Sequence, residues 1–430
     1  MLLTIARSQL PWILPLTLLL GGCGAEPGIT GSGGVANGGA GQAGSAAGGS
    51  GMSGGSGGAT HGGETSGVAG ALNGGAGAAA TAGAGGSGGG ANEPDGFTDP
   101  GIEGDGDFTL EPPYKASPLN YPAGAPVGKQ IKWVMKSADS VIYPGRNGAY
   151  ERTVWMYVPA QYQAGSKAPF LVIQDGYFAI WFGNDLPHDA NPTGPNLPGT
   201  ANVPLIVDNL VGQGKLPPLV VLFVDNGGGD GGNSQRGLEY DTVSGKYAEF
   251  IQGEVLPRAV SEAKSQLTQD LVFTDDPRGR ATMGGSSGAA ASFSMAWFHP
   301  DYFTRVISFS GTFVRQASPE DPMYPHGAWS YHDFDPYNEA APNGLIMKEP
   351  TPKPIRVWLE VGENDLQAGS GPGSYRDFPL ANRRMAMSLK AKGYHYHFDF
   401  AKGAGHVDGG VVPQTLPDAL LWVWRGYPLE

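Results

Sequence analysis

Only one cysteine, Cys23, occurs in 430 residues. A disulfide framework within the chain is therefore excluded, and any exported part carries no unpaired thiol beyond this one. Positive charge is also short. Lys and Arg number 27 against 40 Asp and Glu, a net charge of −13, which argues against nucleic acid as a partner because phosphate neutralisation needs clustered cations. No Lys or Arg lies between Gly24 and Tyr114, so this stretch has no polybasic patch for anionic lipid. Long apolar runs are missing as well. The run from Leu10 to Leu20 is shorter than the ~20 residues a bilayer span needs. Apolar side chains are scarce from Gly24 to about Gly90, where nearly every residue is Gly, Ala or Ser. Such a stretch cannot bury enough surface to offset its ordering entropy, and a disordered, flexible tether is expected.

What is present divides the chain into a targeting segment over 1–23, the tether over 24–109 and one large α/β domain over 110–430. Arg7 precedes the short apolar run, which ends in Leu20-Gly21-Gly22-Cys23. That ending resembles the bacterial lipoprotein signal, in which the cysteine becomes the lipidated first residue. The resemblance implies an exported protein anchored at Cys23 to the cell envelope, with the membrane as partner through lipid. The alternative is an ordinary cleaved signal with an incidental cysteine.

Beyond the tether, short β-rich apolar runs alternate with helical patterns, which calls for a mostly parallel sheet flanked by helices. Strands are expected at 152–159, 170–174, 219–224, 280–285, 306–309, 355–361 and 394–400. Helices are expected at 243–263, 287–298, 382–392 and 416–424. In the first helix Tyr247, Phe250, Ile251, Val255 and Ala259 share one face.

The chemistry-bearing motif is Gly284-Gly285-Ser286-Ser287-Gly288. Gly-x-Ser-x-Gly between a strand and a helix puts the serine on a tight turn, with small neighbours that let strand and helix approach. The helix N-terminus adds partial positive charge near a developing oxyanion. Ser286 is the expected nucleophile. Ser287 is the rival, but its pattern puts Ala289 where glycine belongs. Asp365 lies just past the 355–361 strand, where the acid of a Ser–acid–His order belongs. Glu363 is the rival acid, and Glu360 falls inside the strand. His406, in a glycine-rich loop after the last strand, is the expected base. The oxyanion hole is expected from the amide of Ser287 and that of Gly176 or Tyr177, after an early strand. His299 suits a helix C-terminus. His188, His326 and His332 lie in polar loops and are expected at the surface. His395 and His397 share one side of a strand but lack an evident third ligand, so no metal is expected. Asp225-Asn-Gly-Gly-Gly-Asp230 departs from the EF-hand spacing and is expected to be a flexible surface loop.

Together Arg280–Phe309, the Trp297–Asp301 segment, the Gly362–Asp365 turn and Gly405-His406 resemble the "Putative esterase" family of enterochelin esterases, esterase D and feruloyl and acetylxylan esterases. Arg236-Gly-Leu-Glu239-Tyr240, Tyr247 and Glu254–Pro257 are similar to the stretch before the nucleophile in enterochelin-esterase-like members. The chain departs from many relatives in having Asp175-Gly176 where they have His-Gly, and Ala289 where they have a second glycine. The resemblance implies an α/β-hydrolase fold and cofactor-free hydrolysis of carboxylic esters through an acyl-enzyme. Small-molecule siderophore trilactones or acetyl and feruloyl esters on polysaccharide are the implied substrates. Arg236 would contact a substrate carboxylate or phenolate, or else pair with Glu239 or a neighbour. Two alternatives stay open: acyl transfer on the same fold, and a non-catalytic surface binding module.

Overall fold

The computed structural model describes residues 98, 100–116, 126–145, 148–176, 181, 201–229, 233–317, 319–335 and 338–429. Cys23, the tether over 24–97, Tyr177, His188 and Asp230 lie outside the described residues.

Nine strands form the central sheet. In chain order they are β1 (Gly106–Leu110), β2 (Lys129–Lys136), β3 (Glu151–Val158), β4 (Phe170–Gln174), β5 (Val220–Val224), β6 (Arg280–Gly285), β7 (Arg305–Phe309), β8 (Arg356–Gly362) and β9 (His395–Ala401). Their order across the sheet is β1-β9-β8-β7-β6-β4-β5-β3-β2. From β1 to β5 the neighbours run parallel, and β3 and β2 close the far edge antiparallel.

Period-two alternation sorts the apolar residues to two faces. Phe170, Val172, Val220, Leu222, Val357 and Leu359 join one core cluster, while Leu171, Ile173, Val221, Phe223 and Trp358 join the other. Burial on both faces is why these strands read as continuous apolar runs. The first face is covered by the helical stretch α3 (residues 246–267), α4 (Ser287–Phe298) and α5 (Phe378–Lys392). The second is covered by α1 (Val203–Gly212) and α6 (Val411–Val423). This is the expected α/β-hydrolase architecture. The expected strands and helices all form, with shifted ends. Helix α5 starts four residues early because the Asp377 side chain caps the Leu380 amide and Pro379 sits in the first turn.

The expected boundary at 109/110 is corrected. Strand β1 pairs residue by residue with β9, from Gly106 opposite His397 to Leu110 opposite Ala401, so the domain begins before residue 106. His395 Nδ1 lies 2.8 Å from Asp105 Oδ2, and His397 Nδ1 lies 2.7 Å from the Gly104 carbonyl. The two histidines thus hold the incoming chain. The Asp225–Gly229 stretch also differs from a flexible loop. Asn226 is buried, its side-chain Nδ2 donates to the Gly229 carbonyl at 2.8 Å, and the Gly227 N–H donates to Glu239.

Candidate active site

Each strand in the middle of the sheet ends on a residue forced into positive φ. Asp175 follows β4 at 53°, Ser286 follows β6 at 57° and Ser310 follows β7 at 49°. Non-glycine residues there cost of order 1–3 kcal/mol and persist only where their surroundings over-determine them. Ser286 is held on both sides. Its amide donates to the Phe309 carbonyl at 3.0 Å, and its carbonyl accepts from Ala289, Ala290 and Thr312. A Cβ on Gly284 would collide with Gly288, and one on Gly288 would press on Gln174 and Asp175. Both glycines of the motif are therefore needed for the strand-to-helix approach. Ser286 is half-buried, whereas Ser287 is fully buried. Ser287 Oγ accepts from Gln316 Nε2 at 3.2 Å and bonds Asp241, so it is already engaged on two sides.

Asp365, three residues past β8, is buried, and its Oδ1 lies 2.6 Å from His406 Nδ1. The Leu366 amide donates to the same oxygen at 2.6 Å. The rival acid Glu363 is turned to Lys402 Nζ at 2.9 Å and the Gly403 amide at 3.0 Å. Glu360 is fully buried, and desolvation, then the charges of Asp365, Asp399 and Asp408, push its pKa well above the ordinary carboxyl range. Burial thus disfavours its carboxylate, and it lies within β8 and not past its end, where Asp365 meets His406. The His406 loop is seated on the elbow. A Cβ at Gly285 would lie 3.1 Å from the Val407 side chain, and the Val407 amide donates to Ser310 Oγ at 2.8 Å. Phe378 meets the His406 ring edge-on at 5.2 Å. The Ser286 hydroxyl itself lies 3.2 Å from Thr312 Oγ1.

Two expectations are corrected, those for Gly176 and His332. The Gly176 N–H donates to the Val224 carbonyl at 3.2 Å, so it is committed to the sheet and cannot serve an oxyanion. The Ser287 N–H opens α4, where no intrahelical carbonyl is available to it. Arg236, on the short helix α2 (Arg236–Tyr240), makes a bidentate pair with Asp175 at 2.7 and 2.9 Å. Of the two alternatives for Arg236, the pair with a neighbour forms, with the buried Asp175, and the Arg236 side chain stays partly exposed, while Glu239 pairs with Arg152 at 2.5 Å. His332 is not at the surface. It is fully buried with Nε2 2.8 Å from the Phe313 carbonyl, and desolvation lowers its pKa to about 4. His299 does end α4, facing Glu249 and Asp301 at 3.4 Å each, and His326 stacks on Tyr375. Sequence reasoning does not identify Ser310 or Thr312. The available signal is a Ser-Gly-Thr turn closing an apolar strand beside the nucleophile strand.

A family model described as "Putative esterase" matches residues 149–420. The iron(III) enterobactin esterase of Dickeya dadantii (strain 3937) is 24% identical over 286 residues, covering 64% of this chain and 52% of that protein. The chain thus spans about half the length of the curated relative it matches. Among solved structures, the enterobactin esterase of Shigella flexneri is similar at a TM-score of 0.43 and 17% identity, covering 73% of this chain and 61% of that one. The feruloyl esterase module of Clostridium thermocellum is similar at 0.45 and 17%, covering 75% and 98%.

Proposed function

The chain belongs to the esterase family, and on that premise we propose that it is a serine esterase in which His406 activates Ser286 and Asp365 orients His406. The observation that carries this is the 2.6 Å contact between the buried Asp365 and the partly exposed His406, on a loop whose next residue packs against Gly285, the neighbour of Ser286. Asp365 holds Nδ1, so Nε2 is the nitrogen left to take the serine proton. Ser286 Oγ attacks the ester carbonyl, and the proton passes to His406. The oxyanion meets the Ser287 N–H at the positive end of α4. Collapse expels the alcohol, which takes the proton from His406 and leaves an acyl-serine. Water then repeats the sequence and releases the acid. With Gly176 committed to the sheet, the Tyr177 amide is the candidate for a second oxyanion donor.

The named relatives act on enterobactin and feruloyl esters, so siderophore trilactones and polysaccharide-linked feruloyl or acetyl esters are the substrate classes in this reading. Export and lipid attachment at Cys23 belong to the same proposal, supported by the Leu-Gly-Gly-Cys ending. Cys23→Ser should move the protein out of the membrane fraction, and an unchanged fractionation without acyl label on the wild type would remove that part.

The central test is Ser286→Ala. Turnover of p-nitrophenyl acetate should fall by roughly 10³-fold or more, and a fluorophosphonate should label Ser286 in the wild type. Wild-type turnover in Ser286→Ala, or label on Ser287, overturns the reading.

A further inference from the structure

The turn after β7 touches both halves of the proposed machinery. Ser310, Gly311 and Thr312 are all buried. The strained Ser310 donates its amide to the Glu360 carbonyl at 2.8 Å, and its hydroxyl accepts from Val407, the residue after His406, at 2.8 Å. Two residues on, the Thr312 amide donates to the Ser286 carbonyl at 3.1 Å, and Thr312 Oγ1 lies 3.2 Å from Ser286 Oγ. Between them, a Cβ on Gly311 would collide with the Phe313 ring, so no side chain fits there. The Gly311 carbonyl accepts from Asn382 Nδ2, on α5, at 2.9 Å.

The turn is therefore anchored by β8 and α5, outside the chemistry, and presents one hydroxyl to the nucleophile and one to the base loop. We propose that Ser310 and Thr312 are positioning residues: Thr312 selects the direction of the Ser286 hydroxyl, and Ser310 sets the seat of the His406 loop. This rests on the serine-esterase reading above. A serine side chain has three staggered wells, and Thr312 Oγ1 is the hydrogen-bond partner that meets the half-buried Ser286 Oγ. With Thr312 as donor, the Ser286 proton stays available to His406. Without it the hydroxyl samples directions that miss the imidazole, and misplacement on the order of 1 Å is enough to cost about 10²-fold in rate. Without the Ser310 hydroxyl, the Val407 amide loses its acceptor and the imidazole its fixed height.

The experiment compares Thr312→Val, Thr312→Ser and Ser310→Ala in the full chain. It reads kcat and KM on p-nitrophenyl acetate, the rate of fluorophosphonate labelling across pH, and the melting temperature. Thr312→Val, close to isosteric, should lower kcat about 10- to 100-fold with KM within about 3-fold, and slow labelling by the same factor. Thr312→Ser, which restores the hydroxyl, should recover to within about 3-fold of wild type. Ser310→Ala should lower kcat and displace the acid limb of the pH profile. Thr312→Val with wild-type labelling and kcat overturns the proposal. So does an equal loss in Thr312→Val and Thr312→Ser, which would mean packing and not the hydroxyl. If Thr312→Val melts early, the serine variant and Ser310→Ala decide alone. A failure of the underlying reading looks different: the wild type itself resists label, or Ser286→Ala still turns over.

Discussion

The two ends of the parallel sheet are built from opposite materials. At the carboxyl end the strands β4, β6 and β7 stop on Asp175, Ser286 and Ser310, each at positive φ. At the amino end β6, β7 and β8 each begin with a buried arginine, Arg280, Arg305 and Arg356. Each of these donates Nε to a backbone carbonyl, of Thr274, Arg278 and Trp422 respectively. Each guanidinium also lies over an aromatic ring, of Phe170, Trp424 and Trp422. The amino end even has an open cavity of about 450 Å³, lined by Arg278, Arg305, Arg356, Lys353 and Arg425 among others. It has no serine elbow among the described residues, and its imidazole–carboxylate pair, His395 with Asp105, holds the incoming chain. One end thus carries buried cations and a cavity, and the other carries strained turns and the hydrogen bonds that join them; it is the second set that supplies the groups of the proposed chemistry.

The comparison breaks most sharply at Asp365. Asp365→Asn keeps the shape of the buried acid but presents the wrong partner to His406 Nδ1, so kcat should fall by roughly 10³- to 10⁴-fold. Glu363→Gln, on a carboxylate turned to Lys402 and Gly403, should stay within about 3-fold of wild type. Steady-state kinetics on p-nitrophenyl acetate decide between them, and comparable losses in both would end the assignment of the acid.

A smaller effect concerns what braces the carboxyl end. His332, buried beneath the Ser310–Thr312 turn through the Phe313 carbonyl, has its pKa lowered to about 4 by desolvation, with Arg384 adding to the shift. An unfolded histidine titrates near ~6.5. The unfolded state therefore binds more protons between about pH 4 and 6.5, and stability rises with pH across that window. The stabilisation is fully present above about 6.5 and lost as pH falls toward 4, a change of about 3 kcal/mol. Asp208 and Asp241, raised to about 6 and about 7 chiefly by burial, act with the opposite sign. The test is thus the difference between wild type and His332→Gln, in which their contributions cancel. As pH falls from 6.5 toward 4, the wild type should lose melting temperature relative to the variant. Parallel curves would show that His332 does not titrate there.

Much of this was legible in the sequence, for identifiable reasons. Strands buried on both faces print continuous apolar runs, so β4, β5, β6 and β8 could be found within a residue or two. Gly-x-Ser-x-Gly is a local steric requirement and is readable where it stands. Contacts made between strand ends are not readable. Which carbonyl takes the Gly176 amide, which acid takes Arg236, and whether a loop histidine such as His332 is buried all depend on sheet order and register. Strand β1 escaped notice because its five residues, Gly-Asp-Phe-Thr-Leu, form an edge strand whose central residues are exposed. Its support comes from β9, about 290 residues away in the chain. Ser310 and Thr312 were hidden for the same reason, since their partners, Val407 and Ser286, come from the turns after other strands.

The smallest expected effect is at Arg305, and it tests the other end of the comparison. Arg305 is buried, and desolvation, with Arg356 beside it in register, presses its pKa down to about 9. It remains charged at neutral pH. Among the described residues no carboxylate lies within salt-bridge distance of it, and its guanidinium is held by the Arg278 carbonyl and the rings of Trp424 and Tyr427. A buried cation without a paired anion costs desolvation that Coulomb attraction does not return. Methionine supplies similar length and packing without that cost, though it gives up one hydrogen bond, worth about 1 kcal/mol. The two terms oppose each other. Arg305→Met should therefore melt within about 3 °C of wild type or above it, with kcat within about 2-fold because Ser286 is at the other end of the sheet. A melting temperature lower by about 8 °C or more would show that the charge itself holds the amino end together. A loss of kcat at unchanged stability would show that the two ends are coupled, and the division drawn between them would then have to be abandoned.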